Sequence, residues 1–188
     1  MNRYVALLRG INVGGHKKVP MAQLRALLEA QGFEDVVTLL QSGNAVFGSK
    51  KKLPPARLER QLEEALEAAL GFEVEVLVRT RDELAAAIAA NPLPGADEDP
   101  SRFAVTFLSA APEPKRLAAL DPAAYAPDEF RVVGRELYAR FPQGMGRSKL
   151  AAVLSSTRLG VTATARNWGT VTKLLALADA APATQADD

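Results

Sequence analysis

Apolar positions along this chain alternate between two spacings, one suited to strands and one to helices. Tyr4 to Leu8 is an unbroken apolar run of strand length, as expected for a strand covered on both faces. Met21, Leu24, Leu27 and Leu28 then share one face of a helix that has Pro20 in its first turn and ends at Gly32. Val36 to Gln41 and Asn44 to Phe47 read as strands, joined by a two-residue hairpin at Ser42-Gly43. Pro54-Pro55 opens a helix carrying Leu58, Leu62, Leu66 and Leu70 on one stripe, closed by Gly71. Glu73 to Val78 is a further strand. The order β-α-β-β-α-β is the split, ferredoxin-like arrangement. Thr80 and Glu83 have capping-box spacing for a short helix over Leu84 to Ala90, which Asn91-Pro92 stops.

The pattern recurs after residues 91–101, a Pro/Gly/acid-rich stretch that reads as a linker. Phe103 to Leu108 is a strand, and Glu113 to Leu120 a helix entered through Pro112 and Pro114. Glu129 to Val133 and Glu136 to Phe141 alternate as strands around Gly134-Arg135, a Gly-X pair that suits a type II′ hairpin. A helix follows from about Ser148 to Ser156, Gly160 to Ala165 is the candidate last strand, and a final helix covers Asn167 to Leu177 with Asn167 as its N-cap. Trp168, Val171, Leu175 and Ala178 give that helix an apolar stripe, so Trp168 reads as core. The expectation is an α+β fold of two ferredoxin-like β-α-β-β-α(-β) halves, an internal duplication of topology, with a C-terminal helix. The halves span residues 1–90 and 102–179, and residues 180–188 form a frayed tail.

Composition narrows the chemistry. Hydrophobic residues make up 48% of the 188 positions, enough for a sizeable core. No cysteine is present, which excludes disulfides, thiolate zinc sites and cysteine nucleophiles. His16 is the only histidine, which excludes a multi-histidine metal site. No apolar run reaches the length of a membrane span, and the first is too short for a signal-peptide core. These features predict a cytoplasmic protein without a metal, a cofactor or a membrane partner. The formal net charge is only +1, but it is segregated. Residues 1–60 carry ten Lys/Arg against four acids, residues 61–130 five against fourteen, and residues 131–173 eight against one. Two basic segments thus flank an acidic middle, either to form one positive face or to solubilise the surface generally.

The stretch most suggestive of chemistry is the loop from Arg9 to Lys18, RGINVGGHKK, between the first strand and the first helix. Gly10 and Gly15 have P-loop spacing, but His16 and Lys17 stand where lysine and a magnesium-binding hydroxyl belong, which argues against that motif. The dinucleotide fingerprint is also absent. What remains is a glycine-rich, basic loop whose amides can form an anion nest. Arg9, Gly10, Asn12, Gly14, Gly15 and Lys17 are its candidate ligand contacts, with polar help from Gln41 and Asn44 at the hairpin tip. A second glycine-rich basic stretch, Gly144 to Lys149, offers Arg147 and Lys149, and Arg166 precedes the last helix. Ser148 there is equally a plain N-cap. If the two basic segments face a common cleft, Arg147, Lys149 and Arg166 close its far side. His16 has no carboxylate near it in sequence to orient it as a base, and no catalytic residue is assigned.

Tyr4 to Gly15, Lys18 to Met21, Gln41 to Asn44 and Ala165 to Trp168 together resemble the bacterial domain-of-unknown-function family numbered 1697. The resemblance runs from residue 3 to about residue 178. It implies two ferredoxin-like α+β halves and names neither substrate nor catalytic residue. Gly169 stands where that family suggests a larger polar residue, and His16-Lys17 varies a position often asparagine or lysine. The reading is a binder of a phosphate-containing anion, a nucleotide or nucleic acid. The alternatives are an enzyme acting on a small anionic metabolite, or an interaction module without a ligand. Aromatic residues at 6% count against base-stacking RNA recognition and towards a small ligand.

Overall fold

A computed structural model describes residues 1–154 and 157–180. The chain divides into two compact units, Met1–Ala85 with the C-terminal segment from Lys173, and Ala86–Thr172. In the first unit β1 (Asn2–Leu8), α1 (Met21–Ala30), β2 (Glu34–Leu39), β3 (Asn44–Ser49), α2 (Pro55–Leu70) and β4 (Val76–Thr80) follow in order. Their sheet is antiparallel with strand order β2-β3-β1-β4. Helix α3 (Arg81–Ala89) leads out of it. In the second unit β5 (Phe103–Leu108), α4 (Pro114–Ala118), β6 (Glu129–Val133), β7 (Glu136–Arg140), α5 (Lys149–Leu154) and β8 (Ala163–Asn167) build a sheet of order β6-β7-β5-β8. Helix α6 (Trp168–Asp179) completes the described chain. Both sheets have the ferredoxin-like β-α-β-β-α-β connectivity, so the expected α+β fold is found.

Local chemistry explains most boundaries. In the predicted capping box, the Thr80 amide donates to Glu83 Oε2 at 2.8 Å and the Glu83 amide to Thr80 Oγ1 at 3.1 Å. Gly71 closes α2 with a left-handed φ of 77°. The Leu58, Leu62 and Leu66 stripe of α2 is buried against Tyr4, Ala6, Phe47, Val76 and Val78 of the sheet. The polar flank of α2 also covers the β4 edge: the Val76 and Val78 amides donate to Glu63 Oε1 and Glu59 Oε1, each at 2.9 Å. An exposed edge strand is a template for unwanted pairing, and these two glutamates satisfy its free donors. Burial pushes the Glu63 carboxyl above its usual range.

Several boundaries differ from the sequence pattern. Val36–Gln41 and Asn44–Phe47 do pair antiparallel, but their last rung is Leu39 against Asn44, so residues 40–43 make a four-residue loop rather than a two-residue hairpin. Leu40 and Gly43, at φ of 60° and 83°, supply its left-handed turns. Strand β2 begins earlier than expected and carries a bulge between Glu34 and Val37, with Asp35 at φ 50°. Strand β4 starts at Val76, not Glu73, and β8 spans Ala163–Asn167, not residues 160–165. The Gly134-Arg135 hairpin is as expected: Val133 pairs with Glu136, and Gly134 has φ of 61° while Arg135 stays on the negative side, as a type II′ turn requires. The expected tail from residue 180 lies, beyond Ala180, outside the described residues, as do the last residues of the helix expected up to Ser156.

In the second unit Tyr138 of β7 is buried, and its hydroxyl donates to the Ala87 carbonyl at 2.6 Å. Burial, aided by Glu136, pushes its phenol up to about 12. An unfolded tyrosine ionises near 10. The folded state therefore holds the proton that the unfolded state loses, so this contribution is intact below pH 10 and disappears as pH rises towards 12. Urea melts of Tyr138→Phe should show about 1 kcal/mol lost at pH 8 from the missing hydrogen bond. They should also show a shallower fall in stability between pH 10 and 11 than the wild type. An unchanged slope there would place the titration elsewhere.

Candidate functional site

The loop between β1 and α1 folds back as a tight turn. Val13 and His16 pair across Gly14-Gly15, and the His16 amide donates to the Val13 carbonyl at 3.1 Å. Gly14 and Gly15 have φ of 60° and 79°, the two left-handed residues that a type I′ turn needs. Asn12, at φ 55°, closes the base of the loop. Its Oδ1 accepts from the Val19 amide at 2.8 Å, while Nδ2 donates to the carbonyls of Val19 at 2.9 Å and Gln41 at 2.7 Å. The carboxamide thus pairs with Val19 as a strand backbone would and ties the loop to residues 40–43. Ile11 sinks into the core at 2% exposure and anchors the preceding turn.

Two of the loop's cations are held by the chain itself. Arg9 forms an ion pair with Glu75, and its amide donates to the Glu75 carbonyl at 2.9 Å. Lys17 Nζ donates to the Glu73 carbonyl at 2.7 Å. Glu73 and Glu75 precede β4, and the pairing of Leu8 with Val76 carries them to the loop. The candidate list contained neither acid, although the strand expected at Glu73 to Val78, set antiparallel to the first, would have brought both near Arg9. Lys18, by contrast, makes no hydrogen bond or ion pair among the described residues, and neither do the amides of Gly14 and Gly15. A cleft of about 460 Å³ opens beside them, lined by Asn12, Gly15, Lys18, Val19, Pro20 and Gln41. Gly10, also left-handed at φ 66°, is exposed where the loop leaves β1. Asn44 is fully buried, and its Nδ2 donates to the Leu39 carbonyl at 2.7 Å and to Ser42 Oγ at 3.1 Å. It shapes the loop that carries Gln41, whose side chain is exposed.

The remaining candidates belong to the second unit. Arg147 and Lys149 line one cleft there, on either side of Ser148. Ser148 caps α5, its Oγ accepting from the Ala151 amide at 2.9 Å and donating to Asp128 Oδ2 at 2.6 Å. Arg166 lies elsewhere. Strand β8 runs on to Asn167, so Arg166 sits within the sheet opposite Val105, at 7% exposure. Its guanidinium donates to Thr164 Oγ1 and to the Ala165 carbonyl, both at 2.8 Å, and burial lowers its pKa to about 10. The first sheet has a matching group: Arg79, fully buried, stands opposite Val5 of the central strand β1. Asn167 still caps α6, its Oδ1 accepting from the Thr170 amide at 2.8 Å. Among the described residues no group of three or more His, Asp or Glu is placed to hold a metal ion. Among the described residues no helix is long and apolar enough to cross a membrane.

A family model described as a protein of unknown function, DUF1697, matches residues 1–138. The chain belongs to the DUF1697 family. The matched span includes the whole glycine-rich loop, residues 40–43, and Glu73 and Glu75, which hold Lys17 and Arg9. The fold of this DUF1697 chain is shared by the solved structure of the conserved bacterial protein SP0830 from Streptococcus pneumoniae. The two superpose with a TM-score of 0.72 over 95% of this chain and 99% of that one, at 24% sequence identity. At that identity the likeness is one of fold. No curated protein matches the sequence.

Proposed function

We propose that this chain binds a phosphate-containing anion, a nucleotide or nucleic acid, in the cleft beside the Gly14-Gly15 turn. The observation that carries the reading is the conjunction of the free Gly15 amide and the unpaired Lys18 ammonium along one cleft, with the free Gly14 amide in the same turn. Consecutive amides in left-handed turns form a concave nest of partial positive charge, and an adjacent cation strengthens it. In this reading Gly14, Gly15, Lys18 and Gln41 contact the ligand. Arg9, Asn12, Lys17 and Asn44 position them, and Gly10 lets the chain leave β1. The hydrogen bonds of Asn12 and the anchored Ile11 hold the turn before any ligand arrives, so little ordering cost remains at binding. Pro20 and Val19 give the cleft an apolar wall suited to the non-phosphate part of a small ligand.

Thermal melts with inorganic phosphate, mononucleotides and short oligonucleotides test this. A ligand at about 100 times its dissociation constant stabilises the fold by about 2.7 kcal/mol. For a chain of this length that is roughly a 5–10 °C rise in Tm. Lys18→Ala should keep the unliganded Tm and lose most of the rise. A steep fall of affinity with salt marks a polymer, and a gentle one a mononucleotide. If none of these anions moves the melt, the loop is a turn and not a binding site.

A further inference from the structure

We propose that the second unit holds a separate site for a small polyol phosphate, in the cleft beside Ser148. The cleft measures about 210 Å³. That is below the usual range of drug-sized pockets, roughly 300–1,000 Å³, and sets the scale of a phosphosugar or smaller. Its walls combine Tyr125, Asp128, Gln143, Arg147, Ser148 and Lys149.

Most arginines of this unit are used internally. Arg102 pairs with Asp99, Arg140 with Glu129, and Arg116, Arg131 and Arg166 donate to backbone carbonyls. Arg147 and Lys149 make no such contact among the described residues, and both line the cleft. Their backbone is fixed between them: Ser148 is locked by Asp128 at 2.6 Å and by the Ala151 amide at 2.9 Å. A guanidinium fork beside an ammonium suits the oxygens of a terminal phosphate.

The rest of the lining selects what the phosphate is attached to. Asp128 spends one oxygen on Ser148 and keeps acceptor capacity for a hydroxyl hydrogen of the ligand's carbon skeleton, which inorganic phosphate lacks. The Gln143 carboxamide and the Tyr125 hydroxyl also lack partners among the described residues. The Tyr125 ring is braced edge-on against Phe130, with centroids 6.3 Å apart, and can cover the carbon face of a sugar. Two cations and one acid around Ser148, with the neutral donors of Gln143 and Tyr125 in the same lining, suit a phosphate monoester of a polyhydroxylated carbon skeleton.

The test follows backbone amide resonances of the full chain while titrating hexose 6-phosphate, the unphosphorylated hexose and inorganic phosphate. Hexose 6-phosphate should shift the resonances of Gly144 to Lys149 with sub-millimolar affinity, and the unphosphorylated hexose should not. Inorganic phosphate should bind at least tenfold more weakly. The double variant Arg147→Ala/Lys149→Ala should lose at least tenfold in affinity, and Lys18→Ala should lose none, which separates this site from the glycine-rich loop. Both cations are exposed, so the double variant keeps the fold, as an unchanged spectrum elsewhere would confirm. Asp128→Asn tests the hydroxyl contact and should narrow the preference for the ester over inorganic phosphate. The proposal is overturned by equal binding of ester and inorganic phosphate, by unaltered affinity in the double variant, or by shifts confined to the Gly14-Gly15 loop.

Discussion

Replacing Trp168 by alanine should destabilise the protein by about 3–5 kcal/mol, the range for removing a large aromatic from a packed core. Trp168 opens α6 at 4% exposure, and its indole Nε1–H donates to Asp97 Oδ1 at 2.7 Å. Truncation leaves a cavity and also leaves the Asp97 carboxylate without that donor. At about 2–4 °C per kcal/mol for a chain of this length, Tm should fall by roughly 6–20 °C. Trp168→Phe separates the two effects, because it keeps most of the ring volume and removes only the hydrogen bond. It should cost about 0.5–1.5 kcal/mol, the net worth of one hydrogen bond, because the exposed Asp97 carboxylate regains water. Circular-dichroism melts in denaturant measure both variants without relying on the deleted fluorophore. A loss below about 1 kcal/mol in Trp168→Ala would mean that the side chain does not support the core.

The elements most legible in the sequence were those fixed by neighbours a few residues away. The Thr80/Glu83 box, the Gly71 helix end, the α2 leucine stripe and the Gly134-Arg135 turn each rest on contacts inside one short segment. The misread elements answer to distant contacts. Ser42-Gly43 has the composition of a two-residue turn, but the glycine is required by the approach of Leu8 and Ile11, and the loop is set by left-handed Leu40. Arg166 reads as a pre-helix residue until the pairing of β8 with β5 places it in a sheet. Its counterpart Arg79 carries no signal at all, since a buried arginine looks in sequence like a surface one. The loop announced itself through its glycines, but residue type could not show which polar groups are already engaged. Asn12 and Asn44 spend their carboxamides on the backbone, and Arg9 and Lys17 lean on acids or carbonyls supplied from beyond residue 70. Only the three-dimensional pairing leaves Lys18 and the two glycine amides available.

Gly43→Ala should destabilise the protein by about 2–5 kcal/mol and loosen the candidate site with it. Gly43 has φ of 83°, where a side chain costs about 1–2 kcal/mol of backbone strain. A Cβ there would also stand 2.6 Å from Ile11 Cδ1 and 2.8 Å from Leu8 Cβ. Overpacking of this kind adds about 1–3 kcal/mol. Gly14→Ala is the control: its φ is 60°, but the nearest heavy atom to a new Cβ is His16 Cδ2 at 3.9 Å. It should carry the backbone strain alone, about 1–2 kcal/mol. The difference between the two variants, read from urea melts, isolates the close packing of Ile11 under residues 40–43. Ile11→Val removes Cδ1, so adding it to Gly43→Ala should recover part of the loss although Ile→Val alone is destabilising. Because Ile11 anchors the chain immediately before Asn12, the same substitution should weaken any anion-induced rise in Tm, and the double variant should restore part of that too. Equal costs for Gly43→Ala and Gly14→Ala, with no recovery from Ile11→Val, would show that the two loops are not coupled through this contact.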